Sequence, residues 1–202
     1  TFRNDWFSTL SDANRSIKYP SVSGSYVFSE TLKNIPWLSF GKIRVGYAEV
    51  GSDGSVNPYS DQLFYNVNAN LINRMVARKY PHWVNGTPVP VGTSGSSIPN
   101  PNLKPSRAAE TEVGLELKLF KNRVGLDFAA YRKITSDQIV QVQVSDASGF
   151  LNTFINSGKS RNLGYEALLN IVAFEKKDFR WEFTANAAYN KTKVLSILTN
   201  TP

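Results

Sequence analysis

The chain has 202 residues, of which 41% are hydrophobic, 19% charged and 12% aromatic, and its net charge is +7. No window holds the roughly 18 consecutive apolar residues of a membrane-spanning helix, which excludes a helical membrane protein. There is no cysteine and only one histidine, His82, so we predict no metal and no cofactor. The cations are scattered among carboxylates, which argues against nucleic acid as a partner.

Apolar side chains alternate with polar or small ones in many segments, and this is the period of a β-strand. The longest is 179–190, where Phe179, Trp181 and Phe183 alternate with polar residues. We find no amphipathic helix, and the pattern predicts seven or eight strands. In chain order, the clearest alternating segments are 22–29, 42–47, 112–119, 124–131, 140–144, 165–173 and 179–190.

The predicted connections alternate between short and long. Short polar turns are expected at 33–36, 121–123 and 175–178. A stretch rich in glycine and proline, 51–105, is far longer than the usual connection in a compact domain, and a second long loop is expected at 145–158. Short periplasmic turns and long extracellular loops are typical of outer-membrane barrels.

Aromatic residues cluster beside the short turns, as in the girdle at the edge of a membrane barrel. From Trp181 to Tyr189 is eight residues, which a tilted strand converts to about 20 Å, near the height of the apolar band. The fold prediction is therefore all-β, an antiparallel transmembrane β-barrel segment in which Val113, Phe128 and Trp181 face lipid. The predicted girdle consists of Trp37, Phe40, Phe120, Phe174, Phe179 and Trp181.

Two other classes of protein remain open from the pattern. A soluble glycan-binding β-sandwich would bury the face carrying Trp181 and Phe183 against a second sheet. A glycoside hydrolase would need two carboxylates about 5 to 9 Å apart. Regular alternation explains the polar positions without catalysis, so we expect no enzyme. The candidate carboxylates are Glu112, Glu116, Asp127, Glu166 and Glu182.

Three motifs in fixed order carry a resemblance to a known family. The first is KIRVGYAEVGSD at 42–53, followed by an Asn-Pro-Tyr at 57–59. The second is NPNLKP at 100–105, followed by ETEVGLELKLF and KNRVGLDFAAYRKITSDQI at 110–139. It departs from the family pattern at Ser106–Ala109, because relatives often have an acidic residue sooner after the proline. The third, 156–166, has the spacing NxGxxxNxGxE. Together they resemble SusC/RagA-like TonB-dependent outer-membrane transporters.

The resemblance implies that residues 1–202 are part of one barrel domain, from its C-terminal half. The plug domain, the TonB-interacting segment and the end of the barrel are expected to lie outside this chain. It further implies a nutrient importer in the outer membrane of a Gram-negative bacterium. The implied partners are a SusD-like surface lipoprotein, the TonB complex, outer-membrane lipid and an oligosaccharide or peptide substrate.

Candidate ligand contacts lie in the long connection, because long loops on a rigid scaffold often carry binding. Tyr80, His82, Trp83 and Asn85 form the most ligand-like cluster. Aromatic faces stack on sugar rings and amides bind hydroxyl groups. The alternative is a loop that packs its own aromatic residues together.

Overall fold

The computed structural model describes residues 1–32, 34–54, 56–62, 65–67, 83–84, 87–88, 92–94 and 97–197, with the backbone alone for the four short segments between 65 and 94. Within these ranges, no helix is long and apolar enough to cross a membrane. Short 3-10 turns occupy Phe28–Glu30 and Asp146–Ser148. The strands are β1 (Phe2–Trp6), β2 (Ser16–Val27), β3 (Leu38–Ser52), β4 (Tyr65–Val67), β5 (Trp83–Val84), β6 (Thr87–Pro88), β7 (Gly92–Ser94), β8 (Ser97–Ile98), β9 (Ser106–Leu119), β10 (Val124–Gln143), β11 (Asn152–Lys176) and β12 (Phe179–Ser196).

One eight-stranded sheet contains all of the long strands, in the order β1-β2-β3-β9-β10-β11-β12. Each neighbouring pair in this order is antiparallel, and β8 adds a short parallel pairing to β11. The eight strands of this sheet agree with the predicted seven or eight, although the predicted segments 124–131 and 140–144 belong to one strand, β10. Two further two-stranded sheets pair β4 with β7 and β5 with β6.

Two of the three predicted short turns, 121–123 and 175–178, are confirmed at one end of the sheet, whereas 33–36 is part of a longer connection between β2 and β3, and residue 33 lies outside the described residues. β9 and β10 are joined by Phe120–Arg123, and β11 and β12 by two residues. Phe120, Lys121 and Asn122 all have a left-handed backbone, with φ of 55°, 59° and 67°. The backbone N–H of Phe120 donates to the carbonyl of Trp37 at 2.8 Å, which ties this turn to the start of β3.

Four apolar rows cross β9 to β12 on one face of the sheet, which we call the apolar face. The row farthest from the short turns pairs Val113 with Ala130, then Tyr165, then Tyr189. The rings of Tyr165 and Tyr189 stack at 6.4 Å. The next rows are Leu115, Phe128, Ala167 and Ala187; Leu117, Leu126, Leu169 and Ala185; and Leu119, Val124, Ile171 and Phe183.

The apolar face is uncovered in the described part of the chain, where no second sheet packs against it. Trp181 is 62% exposed and Phe183 is 54% exposed. A β-sandwich would have buried both side chains in its core. The structure therefore gives no support to the sandwich alternative.

Three details of the sequence prediction are wrong. The loop expected at 145–158 is shorter, because β10 ends at Gln143 and β11 begins at Asn152. Phe40 pairs with Lys118 and lies on the opposite side from the apolar face, so it is not part of the aromatic girdle. The long connection starts only after Ser52 and contains five short strands, so it is not structureless.

Candidate functional site

The polar face, opposite the apolar face, is crossed by paired charges. Arg44 donates from both terminal nitrogens to the carboxylate of Asp127, at 2.8 and 3.3 Å, and its Nε lies 3.6 Å from Glu112. Lys42 pairs with Glu116 at 3.0 Å. A two-pronged arginine–carboxylate contact fixes orientation as well as charge. These pairs link β3, β9 and β10 across the sheet.

Two glycines on the polar face allow neighbouring side chains to lie flat across the strands. A Cβ on Gly114 would overlap the guanidinium of Arg44, and a Cβ on Gly164 would overlap the ring of Tyr131. Without a side chain, each glycine leaves the backbone open to close approach. The hydroxyl of Tyr131 then accepts a hydrogen bond from Asn190 at 3.0 Å, which joins β10 to β12 across β11.

The polar face forms a wide, open depression of about 560 Å³ rather than a closed active-site pocket. Of the carboxylates considered for a hydrolase, Glu112 and Asp127 both contact Arg44, Glu116 contacts Lys42, and Glu182 contacts Arg180. Each of these contacts joins a carboxylate to a cation of the same sheet, as in a structural ion pair. Ion pairing therefore accounts for four of the five candidates.

At the end of the sheet opposite the short turns, connections from distant parts of the chain meet around a small core. Leu103 is 2% exposed and packs with Leu10 and Val56, and Phe7, Ile139 and Phe154 surround them. These residues come from the β1–β2 connection, the chain after β3, the NPNLKP motif, and the ends of β10 and β11. We call this group the loop core.

Asn156, on β11, holds the NPNLKP motif against the sheet. Its side-chain oxygen accepts the N–H of Lys104 at 2.8 Å, and its amide nitrogen donates to the carbonyls of Lys104 at 2.7 Å and Asp137 at 2.8 Å. Asp137 has a left-handed backbone, with φ of 54°, where the pairing of β10 and β11 is irregular. The side-chain amide of Asn156 therefore joins the NPNLKP motif to β10 at the point where its pairing with β11 is irregular.

Substitutions at Asn156 test this amide contact. We expect Asn156→Ala to weaken the attachment by about 1 to 2 kcal/mol, because the backbone groups of Lys104 lose their partner. Asn156→Asp is expected to be worse, since a carboxylate would face two carbonyl oxygens. Hydrogen exchange of the Lys104 amide in the full-length protein measures the effect. The exposed Asn186, treated identically, is the control; equal protection in all variants would refute the role.

The ligand candidates from the sequence lie mostly outside the described residues. Tyr80, His82 and Asn85 are not described, and of Trp83 only the backbone is, in β5. The loop core and Asn156 were not predicted as a site. In the sequence, only the NPNLKP motif pointed to this region. The motif indicated a family, but it did not indicate which residues it contacts.

A protein-family comparison identifies the family to which this sheet belongs. The model of the family described as TonB dependent receptor-like, beta-barrel matches residues 1–201. The chain belongs to this family. Its two faces are therefore the two faces of a barrel wall: the apolar face meets lipid and the polar face lines the lumen. The short turns lie on the periplasmic side, as predicted, and the loop core lies at the opposite end of the sheet.

Curated relatives match nearly the whole of this chain but are much longer than it. TonB-dependent receptor P26 of Formosa agariphila is 27% identical over 198 residues, which cover 96% of this chain and 18% of the relative. TonB-dependent receptor P39 of the same organism is 26% identical over 187 residues, covering 89% of this chain and 16% of the relative. The chain thus spans less than a fifth of the length of either relative.

Solved structures share the fold. The RagAB peptide importer in its closed-closed state superposes with a TM-score of 0.80 at 23% identity, over 99% of this chain and 20% of that chain. The siderophore receptor PirA from Pseudomonas aeruginosa gives 0.55 at 15% identity, over 92% of this chain and 30% of that one. The likeness to both structures is a likeness of fold.

Proposed function

We propose that this chain is part of the barrel wall of an outer-membrane importer that takes up peptide or glycan oligomers in a TonB-dependent manner. The observation that carries the proposal is the division of β9 to β12 into an apolar face and a charged, hydrogen-bonded face. A wall of this kind separates lipid from a wet passage wide enough for oligomers. The likeness to a peptide importer supports the peptide half of the substrate class.

A SusD-like surface lipoprotein is the proposed extracellular partner, and TonB supplies the energy through other parts of the protein. The loop core supports this arrangement, because it braces the extracellular end of the sheet where such a partner would dock. Rigid scaffolds beneath long connections are where binding surfaces are usually built. The proposed role is transport, and the paired carboxylates of the polar face give it no catalytic step.

Substrate contacts are proposed at Tyr80, His82, Trp83 and Asn85. All four belong to the connection between Ser52 and Ser106, which starts and ends on the extracellular side of the sheet. Tyrosine and tryptophan offer large amphipathic surfaces for peptide or sugar, and the amide and imidazole can hydrogen-bond to either.

Uptake by cells of the source bacterium tests the proposal. Deletion of the gene for the full-length protein is expected to abolish growth on one class of oligomer, either peptides or glycans, while growth on the corresponding monomers is kept. Complementation should restore it, and the same protein should co-purify with a surface lipoprotein. Unchanged uptake of both classes in the deletion strain would refute the importer function.

Alanine variants test the proposed contacts. The Tyr80→Ala, Trp83→Ala double variant is expected to reduce uptake at low substrate concentration at least fivefold, because each ring removed takes away about 1 kcal/mol of stacking. The matched control is Phe2→Ala, Trp6→Ala, which removes two exposed aromatic side chains from β1. Equal uptake by both double variants would exclude Tyr80 and Trp83 as contacts.

A further inference from the structure

The apolar face changes character abruptly at its extracellular end. Directly beyond the row that holds Tyr165 and Tyr189, the pairing places Arg132 beside Leu163, and Leu163 beside Lys191. One row further, Arg161 pairs with Lys193. Successive rows lie two residues apart, or about 6.6 Å along a strand. Four cations, here called the basic rows, thus cap the lipid-facing surface of β10 to β12.

The basic rows have no anionic partner within the described residues. None of the four cations makes an ion pair there, and their face of β10 to β12 carries no Asp or Glu between the short turns and these rows. The polar face of the same strands behaves differently, because Asp127 and Glu182 on it are both paired with arginines. The polar face of these strands thus carries charges of both signs, whereas the basic rows carry cations alone.

Two of these cations face each other directly. Arg161 and Lys193 are cross-strand partners, so their Cβ atoms lie about 5 Å apart. Like charges in this position destabilise a sheet unless an anion lies between them. Arg161 is partly buried, and Lys193 is exposed. The arrangement favours a bound anion shared by both side chains.

The position of the basic rows on the barrel wall indicates what kind of molecule would supply the bound anion. Tyr165 and Tyr189 are cross-strand partners, and the cations begin one row beyond them. In membrane barrels, tyrosines at the edge of the apolar band lie at the level of the lipid headgroups. Long basic side chains at this depth reach toward headgroups, and arginine binds phosphate through two parallel hydrogen bonds. We propose that the basic rows bind phosphate groups of anionic lipids in the outer leaflet of the membrane.

This inference rests on the outer-membrane placement proposed above, and its test uses the full-length protein. The protein is transferred into phosphatidylcholine bicelles that contain either diphosphorylated lipid A or its dephosphorylated form. Native mass spectrometry then counts the lipid molecules retained. The variant is Lys191→Gln, Lys193→Gln, and the control is Lys118→Gln, Lys133→Gln, which removes two lysines from the polar face. Heat-modifiable migration verifies that each variant is a folded barrel.

We expect the Lys191, Lys193 variant to retain phosphorylated lipid roughly 25-fold more weakly, from about fivefold for each cation near the surface. The control and the dephosphorylated lipid should show no such change. Arg132→Gln, Arg161→Gln provides a second variant with the same expectation. The inference would be overturned if both variants and the control retained the phosphorylated lipid equally well. It would also be overturned if the variants lost the phosphorylated and the dephosphorylated lipid to the same extent. Failed oligomer uptake with normal lipid retention would refute the importer function alone.

Discussion

Leu103→Ala is expected to loosen the extracellular end of the barrel wall by about 2 to 5 kcal/mol. Leu103 is 2% exposed, and its removal leaves a cavity between Leu10 and Val56. The surrounding segments come from separate connections of the chain, and Leu103 is the most deeply buried side chain among them.

Hydrogen exchange of the Leu103 amide, which donates to the carbonyl of Asn100, measures this effect locally. Protection should fall at least 30-fold, which corresponds to the lower limit of about 2 kcal/mol. The matched control is Leu151→Ala, because Leu151 is 58% exposed and its truncation should change protection little. If the two variants behave alike, the loop core does not organise this end of the sheet.

Gly164→Ala is expected to destabilise the barrel wall by roughly 1 to 3 kcal/mol, although alanine is usually preferred to glycine within a strand. The new methyl group would overlap the ring of Tyr131, which is rigid and lies flat across β11. The ring would have to move away, and its hydroxyl would lose the hydrogen bond from Asn190. The destabilisation therefore comes from one identified overlap.

A double-mutant cycle tests this cause through denaturant unfolding of the full-length barrel in detergent. In a Tyr131→Ala background, Gly164→Ala should cost well under 1 kcal/mol, because the methyl group then meets no ring. Gly46→Ala is the matched control on the same face, since a Cβ there has nothing within 4 Å. A cost for Gly164→Ala that persists without the tyrosine would contradict the close-approach explanation.

Sequence reasoning succeeded where the strands cross the membrane. There, one face meets hydrocarbon and the other meets water, so side chains must alternate, and the segments 112–119, 124–131 and 179–190 all lie in strands. The short turns were predictable for a similar reason, because they must reverse the chain within a few polar residues. The fold class followed from these two patterns.

The same reasoning failed above the membrane. Residues 152–158 form the first part of β11, yet they were expected to be a loop. Beyond the lipid, both faces of a strand can be wet, and the apolar–polar alternation that marks a strand disappears. β1 was missed for the same reason. Its five residues pair with 16–20 of β2.

The loop core was beyond the reach of sequence patterns. Leu10, Val56 and Leu103 are far apart in the chain, and no period links them. Asn156 was noticed only as part of a spacing, and its three hydrogen bonds depend on where the NPNLKP motif and Asp137 come to lie. Contacts among connections require the sheet to be assembled first.

The central claim is that alternate residues of β12 face lipid and lumen, and spin-label accessibility tests it most directly. This chain has no cysteine, so single cysteines can be introduced from Phe183→Cys to Ala188→Cys, once any cysteines elsewhere in the full-length protein are replaced. In membranes, labels at 183, 185 and 187 should be relaxed by oxygen, and those at 184, 186 and 188 by a water-soluble nickel complex. Uniform relaxation by the nickel complex at all six positions would contradict the account.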